Sequence, residues 1–244
     1  MLQLKEYISF AKTLLLALVC AGIIRSFWFE PFHIPSGSMK PNLLVGDYII
    51  VSKYSYGYSR YSFPFGLNIF SGRILFDEKT PQRGDVVVFR YPPDPSINYI
   101  KRLIGLPGDT VQMRDGVLYV NEEKIEKTTD GFFFDEESSQ IPIKIERFVE
   151  KLSDKKEIAV LDMYQNSNAD DTGIYRVPAG YYFMMGDNRD NSQDSRFLSQ
   201  VGYVPQENLI GKARFIFLSA RDPLWKVWKI HQSIRFDRIF KKID

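Results

Sequence analysis

The longest apolar stretch of the chain lies near its N-terminus, at residues 10–28. As a helix these 19 residues would be about 28 Å long, close to the ~30 Å hydrocarbon thickness of a bilayer. Lys12 and Arg25 can reach the two membrane surfaces, and Trp28 is an aromatic residue of the kind found at the interface. The pattern predicts a transmembrane anchor at 10–28, preceded by a short cytoplasmic N-terminus at 1–9.

The uninterrupted apolar part of this segment, residues 13–24, is also as long as the hydrophobic region of a cleavable signal sequence. A retained anchor and a cleaved signal are therefore both open at this point. Lys5 and Lys12 precede the apolar run and Arg25 follows it, which favours a cytoplasmic N-terminus. In that orientation the chain that follows the anchor lies on the extracytoplasmic side of the membrane.

Beyond residue 44 the pattern changes to short runs of β-forming residues that follow Gly-Asp pairs, at 48–51, 86–89 and 110–113. The pair Asp115-Gly116 accepts the positive φ of a tight turn, which predicts a hairpin over 113–120. Further runs lie at 98–105, 181–185 and 213–218. The fold class predicted is mainly β, with an antiparallel β domain over 29–121 and 172–220.

Residues 122–171 differ from this domain in composition, with 14 acidic and 7 basic side chains. The spacing of apolar residues over Ile145–Leu152 suggests a helix, and Gln165–Asp171 is a polar loop. We predict a small α+β insert or cap here. The acidic run at 135–137 has no calcium-loop spacing, so a solvated surface is expected.

Composition excludes several classes of function. The chain has 32 basic and 30 acidic residues, and this net charge of +2 gives no reason to expect nucleic acid as a partner. The single cysteine, Cys20, rules out an internal disulfide. His33 and His231 are the only histidines, so the chain has few of the usual metal ligands. No metal site and no cofactor are expected.

Two serines, Ser36 and Ser38, follow the predicted anchor within the segment 35–41. A serine hydroxyl becomes an effective nucleophile only when a base removes its proton, and His33 has no evident acidic partner. Lysine is then the base to consider. Lys40 is close in sequence, but its loop offers little burial, and an exposed lysine is almost wholly protonated at neutral pH.

Lys101 is a better candidate because it lies within the strand-like run 98–105, where Tyr99, Lys101 and Leu103 share one face. Burial in a sheet would lower the pKa of its amine. A lysine in a strand is nevertheless more often an exposed edge residue, so the pattern alone leaves both readings open.

Four separated segments of the chain form a distinctive set. They are Pro35-Ser36-Gly37-Ser38-Met39 with Pro41; Gly46-Asp47 with Lys53 and Tyr56-Gly57; 83–89 leading to 99–109; and Gly186–Ser192 with Asp194-Ser195-Arg196. Together these segments resemble those of bacterial type I signal peptidases, the membrane-anchored Ser-Lys endopeptidases of peptidase family S26. The resemblance implies that 29–121 and 172–220 form the catalytic domain and that the 122–171 insert is noncatalytic.

By this resemblance Ser38 is the nucleophile and Lys101 the general base that takes its proton. Ser36 matches a hydroxyl that joins the Ser38 backbone N–H in stabilising the oxyanion, and Ser192 matches a hydroxyl that orients the lysine amine. Supporting charged residues are expected at Asp187, Arg189, Asp194 and Arg196. Residues that line pockets for small substrate side chains are expected at Phe32, Ile34, Met39, Tyr99 and Ile100.

The resemblance implies removal of signal peptides from exported preproteins after small residues of the Ala-x-Ala type. The expected partners are these preproteins and membrane lipids, near the secretion translocon. The expected location is the bacterial cytoplasmic (inner) membrane, with the catalytic domain on the periplasmic side. Two alternatives are a related Ser-Lys autoprotease and an inactive anchored β domain that binds preproteins.

The C-terminal segment 221–244 carries seven lysines and arginines interleaved with Trp225, Trp228, Phe236 and Phe240. Basic aromatic segments of this kind bind anionic membrane surfaces. A tail packed on the domain with its lysines solvated is the other interpretation.

Overall fold

The computed structural model describes residues 2–62, 72–74, 80–136, 141–154, 156–164, 167–223, 225–226, 228 and 230–243. The chain begins with one long helix, α1 (Leu2–Phe27). Its segment Lys5–Phe27 is long and apolar enough to cross a membrane, and none of the window is buried against protein. An apolar helix with no protein around it fits the anchor expected from the sequence. The predicted polar loop at 165–171 begins outside the described residues.

Beyond this helix β-strands are the main regular elements of the described chain, which confirms the predicted fold class. The strands are β1 (Phe29–His33), β2 (Asp47–Ser52), β3 (Tyr58–Ser59), β4 (Arg73–Ile74), β5 (Val86–Arg90), β6 (Asn98–Gly105), β7 (Thr110–Arg114), β8 (Val117–Val120), β9 (Glu123–Lys124), β10 (Glu126–Asp135), β11 (Ile143–Ser153), β12 (Lys156–Asp162), β13 (Tyr175–Arg176), β14 (Tyr181–Met185), β15 (Val204–Pro205) and β16 (Leu209–Ser219). A short helix, α2 (Ile230–Ser233), follows β16.

The largest sheet has the strand order β1-β2-β16-β5-β6-β14-β15, and its neighbouring strands are antiparallel. Its central strand β5 is buried on both faces. Val86 and Val88 belong to one hydrophobic cluster, while Val87 and Phe89 belong to another. Because Val87 is the register partner of Lys101 on β6, that lysine lies inside the sheet and away from its edges.

The Gly-Asp turns before β2, β5 and β7 share one hydrogen-bond pattern. At the first turn, Gly46 has φ 83° and Asp47 Oδ2 accepts the Leu44 N–H at 2.8 Å. The carboxylates of Asp85 and Asp109 accept the N–H three residues earlier in the same way, at 3.1 and 2.6 Å. Each carboxylate therefore closes the turn that starts its strand, and the strands predicted after these pairs are confirmed.

The described part of the insert contains a separate antiparallel sheet of order β10-β11-β12. The helix predicted over Ile145–Leu152 is wrong, because these residues lie within β11. This strand is central and pairs on both sides. Pairing on both sides provides partners for the backbone hydrogen-bonding groups of β11. This tertiary stabilisation outweighs the helix-like spacing of its apolar residues.

The hairpin predicted around Asp115-Gly116 is confirmed as β7 and β8, which lie in a sheet of order β13-β7-β8-β9. Asp115 and Gly116 have φ of 47° and 67°. These values are typical of the tight turn that Asp-Gly favours between twisted strands.

The end of the C-terminal segment packs against the largest sheet. The Ile243 N–H donates to a carbonyl on β16, and the buried Arg238 guanidinium binds the Asp47 carboxylate at 2.6 Å. Trp225 and Trp228 remain exposed, at 69% and 63% of their full surface. The segment thus combines a docked end with two solvent-facing aromatic residues.

Candidate active site

Ser38 and Lys101 meet although 63 positions separate them in the chain. Ser38 lies in the turn that follows β1, and Lys101 lies on β6. Lys101 Nζ is 2.6 Å from Ser38 Oγ, and the two residues are only 4% and 8% exposed. A hydroxyl and an amine at this distance can exchange a proton directly.

Burial gives the Lys101 amine the properties of a base. Desolvation lowers the pKa of Lys101 from 10.5 to about 8, because removal from water disfavours the charged form. The carboxylates of Asp194 and Asp187 oppose this shift, and the Arg196 guanidinium reinforces it. Near neutral pH roughly a tenth of the amine is therefore uncharged, compared with less than a thousandth for a free lysine.

Each carboxylate near Lys101 is already bonded to an arginine. Asp194 and Arg196 form a buried ion pair at 2.9 Å, and Asp187 and Arg102 form another at 2.7 Å. Burial alone would raise the pKa of Asp194, but Arg196 and a backbone hydrogen bond hold that pKa below its ordinary value. Since both carboxylates have a cationic partner, neither needs the Lys101 ammonium as counter-charge.

Asn188 holds the backbone beside Ser38, a contact that the sequence reasoning missed. Its backbone N–H donates to the Ser38 carbonyl and its side-chain Nδ2 donates to the Gly37 carbonyl, each at 3.1 Å. Asn188 is fully buried. The only signal for this role was its place between Gly-Asp and Arg in the motif that starts at Gly186.

Gly186 allows the loop that follows β14 to approach the serine turn. A Cβ atom built at this position would overlap Ser192 Oγ and lie 2.6 Å from the Ser38 carbonyl oxygen. No side chain fits there without moving one of these two serines. Position 186 requires glycine because Ser192 and the Ser38 carbonyl occupy the space that a side chain would need.

Ser192 lies on the rim of the same cavity as Lys101. Ser192 is only 6% exposed, and its hydroxyl interacts with the Asp194 carboxylate, which helps to lower the pKa of that group. The hydroxyl therefore links the buried Asp194–Arg196 pair to the wall of the cavity that contains Lys101.

An open groove of about 630 Å³ runs over the Ser38–Lys101 contact. Ser36 is exposed and lines it, as do Tyr99 and Ile100. The full lining is Pro35, Ser36, Gly37, Ser38, Ile97, Asn98, Tyr99, Ile100, Lys101, Asp190, Asn191, Ser192, Gln193, Phe197 and Gln200. The other residues expected to line pockets lie elsewhere: Ile34 and Met39 are buried in the core cluster that reaches the groove at Ile100, and Phe32 packs against that cluster.

The prediction that Lys40 is exposed is wrong. The residue is only 2% exposed, and its Nζ binds Asp135 Oδ1 at 2.7 Å. The turn is covered by the end of β10, a contact between distant segments that the local sequence could not reveal. An ammonium bound to a carboxylate has no lone pair to accept the Ser38 proton, so Lys40 is still set aside as the base, for a different reason.

Asp187 and Arg189 are both buried, and each has a partner from another segment. Asp187 binds Arg102 on β6, while both guanidinium NH groups of Arg189 bind the Glu150 carboxylate on β11 at 2.5 Å. The two residues thus connect the loop after β14 to the largest sheet and to the insert.

One group of carboxylates could in principle hold a metal ion. Among the described residues only Asp162, Asp170 and Asp190 bring three possible ligand atoms within 4.8 Å of one another. Lys127 Nζ already binds Asp162 Oδ2 at 2.6 Å. Because this ammonium supplies the positive charge, we assign no metal to the group.

Comparison with known proteins gives a consistent result. The family model described as signal peptidase, peptidase S26, matches residues 7–218. The signal peptidase I of Rickettsia typhi is 43% identical over 260 aligned positions, which cover 98% of this chain and 93% of that protein. The signal peptidase I of Rickettsia conorii is 42% identical, covering 98% and 92%. A crystal structure of a signal peptidase I from Enterococcus faecalis is 30% identical and covers 55% of this chain and 97% of its own, at a TM-score of 0.32, too low to inform the fold.

We expect Gly186→Ala to destabilise the protein, because the added methyl group overpacks the contact between Ser192 and Ser38. Overpacking of a buried contact costs about 1–3 kcal/mol. Gly173→Ala is the matched control, since nothing lies within 4 Å of a Cβ built there. Thermal unfolding of the detergent-solubilised chain measures both, and equal Tm values for the two variants would contradict the tight packing at residue 186.

Proposed function

The chain belongs to the signal peptidase family, peptidase S26, and we propose that Ser38 and Lys101 are the catalytic dyad of its reaction. Its function is that of a type I signal peptidase, a serine peptidase whose substrates are preproteins with signal peptides. The 2.6 Å contact between the Lys101 amine and the Ser38 hydroxyl carries the proposal. An autoprotease or an inactive binding domain is not favoured, since relatives with this function align with nearly the whole chain.

In the first half of the reaction, Ser38 Oγ attacks the scissile carbonyl carbon while the neutral Lys101 amine takes its proton. The tetrahedral intermediate then collapses, and the resulting ammonium returns this proton to the nitrogen of the leaving chain. The mature protein departs with a free N-terminus, and the signal peptide stays on Ser38 as an ester.

In the second half, Lys101 is again neutral and takes a proton from a water molecule that attacks the ester. Collapse of this intermediate returns the proton to Ser38 Oγ and releases the signal peptide as a carboxylic acid, which then loses its remaining proton to water. The buried position of Lys101 supports both steps, because the same pKa of about 8 serves each proton transfer.

Further roles follow from the groove. We assign Ser36 and the Ser38 N–H to the oxyanion, since Ser36 is exposed beside Ser38 on the groove wall. We assign Ser192 to the orientation of the Lys101 amine, supported by its buried position beside Lys101 in the groove. Tyr99 and Ile100 present apolar surface to a bound peptide, and preference for small residues of the Ala-x-Ala type is proposed on the family resemblance.

The remaining assignments also rest on the resemblance. Phe32, Ile34 and Met39 would shape the substrate pockets from the core that supports the groove. The ion pairs of Asp187, Arg189, Asp194 and Arg196 would hold the dyad in place. No cofactor enters the proposed reaction.

We place the chain in the bacterial cytoplasmic membrane, with α1 among the lipids and the catalytic domain on the periplasmic side near the secretion translocon. A signal peptide leaves the bilayer on that side, and Ser38 lies only 11 residues beyond the end of α1. The cleavage site and the nucleophile would therefore meet close to the membrane surface.

The orientation predicts that protease added to intact spheroplasts degrades a C-terminally tagged chain. The periplasmic domain is then accessible, while a fragment containing α1 remains in the membrane. A cytoplasmic protein in the same cells serves as the control for lysis. Survival of the tag until detergent is added would place the domain on the other side.

The dyad predicts that Ser38→Ala and Lys101→Met each lower preprotein cleavage by about 10⁴-fold or more, because nucleophile and base act as one unit. Lys124→Met, at an exposed strand lysine, is the control and should retain full activity. Cleavage of a preprotein with an Ala-x-Ala site by the purified chain in detergent measures all three. Substantial turnover by either dyad variant would refute the assignment.

The pKa of Lys101 predicts the pH dependence of cleavage. Only the neutral amine accepts the serine proton, so kcat/KM should rise with pH, with a midpoint near the Lys101 pKa of about 8, and level off above it. A pH profile of kcat/KM with a short peptide substrate checks this. A rate that is already at its plateau at pH 6 would exclude a lysine base.

A further inference from the structure

The turn that carries Ser38 is held from outside the catalytic domain. We call residues 36–42 the nucleophile turn. Lys40 in this turn forms an ion pair with Asp135, the last residue of β10 in the insert, at 2.7 Å. The side chains are 3% and 4% exposed, so the pair is almost completely removed from water.

Asn42, the last residue of the nucleophile turn, makes a second connection. Its Nδ2 donates to the Ala159 carbonyl on β12 and to Asp187 Oδ2, both at 2.7 Å. The two amide hydrogens thus join the insert to the loop after β14 through one side chain. Lys40 and Asn42 thus attach the part of the nucleophile turn that follows Ser38 to the β10-β11-β12 sheet.

The insert also binds the loop that follows β14. The Leu161 N–H donates to the Asp187 carbonyl and the Arg189 N–H donates to the Leu161 carbonyl, each at 2.9 Å. The Glu150 carboxylate receives both NH groups of Arg189. One small sheet therefore touches the two segments whose relative position determines the geometry of Ser38.

From these contacts we propose that Asp135 is a positioning residue for peptide cleavage. Through Lys40 it holds the nucleophile turn so that Ser38 Oγ faces Lys101 Nζ. The insert, expected from the sequence to be noncatalytic, thereby supports the reaction without touching substrate. The inference rests on the proposed dyad, because it concerns the placement of Ser38 relative to Lys101.

The physical basis is that a buried ion pair fixes direction as well as distance. An apolar contact at Lys40 would tolerate sliding, whereas an ammonium bonded to a carboxylate in a dry site has one favourable arrangement. Lys40 is two residues from Ser38, and the Lys40 N–H also donates to the Gly37 carbonyl at 3.1 Å. Movement of Lys40 therefore moves the serine, and misplacement of a reacting group by about 1 Å can cost roughly 100-fold in rate.

The experiment compares Asp135→Asn with Asp130→Asn in the full-length chain in detergent. Asp130 is the matched control, because it lies on the same strand and pairs with Arg147, but both side chains of that pair are more than 40% exposed. We expect Asp135→Asn to lower kcat for a short peptide about 10-fold or more with KM changed less than about twofold. Asp130→Asn should behave like the wild type.

A second variant separates positioning from stability. Lys40→Met with Asp135→Leu replaces the pair by apolar side chains and leaves neither member of the pair buried without the other, so the protein should fold even if Asp135→Asn does not. We expect this double variant to have a Tm near that of the wild type and a kcat still reduced about 10-fold or more. Recovery of wild-type kcat in the double variant would overturn the proposal, since the pair would then serve stability alone.

The pH profile provides an independent criterion. A positioning role lowers kcat and leaves the midpoint of the profile where Lys101 sets it, whereas an electrostatic effect of Asp135 on Lys101 would move the midpoint and overturn the proposal. Ser38→Ala in the same assay tests the proposed dyad separately from the positioning role of Asp135. If that variant retains activity the dyad is wrong, whereas an inactive Ser38→Ala with a fully active Asp135→Asn refutes the positioning role only.

Discussion

The buried contact between the Lys101 amine and the Ser38 hydroxyl is the interaction on which the rest of the site depends. A lysine serves as a base only if it loses its proton near neutral pH, and desolvation is what lowers its pKa to about 8. Any free carboxylate nearby would reverse that effect. The structure satisfies this constraint by giving Asp187 and Asp194 arginine partners, so that charge is balanced around the amine and the amine itself can be neutral.

Three distant segments must meet to produce that arrangement. β6 supplies the lysine from the largest sheet and the turn after β1 supplies the serine. The loop after β14 packs against that turn and binds Arg102 on β6. Close packing at Gly186 and the two hydrogen bonds of Asn188 bring the loop and the turn together. The insert then binds both of them, which makes an apparently accessory sheet part of the framework that carries the chemistry.

Much of the fold could be predicted because its signals are local. Asp and Gly at turns, alternation of apolar residues and a long uncharged stretch are properties of neighbouring positions, and the strands and the N-terminal helix follow from them. The predictions that were wrong depended on distant partners. Ile145–Leu152 has helical spacing but becomes a central strand because β10 and β12 are available on both sides, and Lys40 lies in a polar turn but is buried because Asp135 covers it.

By itself the sequence determined the chemistry available to this protein: a serine beside an apolar helix, no histidine suited to activate it, and motifs that identify Lys101 as the partner. Tertiary structure alone decided how these groups are placed. The pKa of Lys101 depends on burial between strands, the neutrality of its surroundings depends on arginines from other segments, and the position of Ser38 depends on Asn188 and Asp135. Burial and electrostatic pairing arise only when distant residues come together, so no local pattern could specify them.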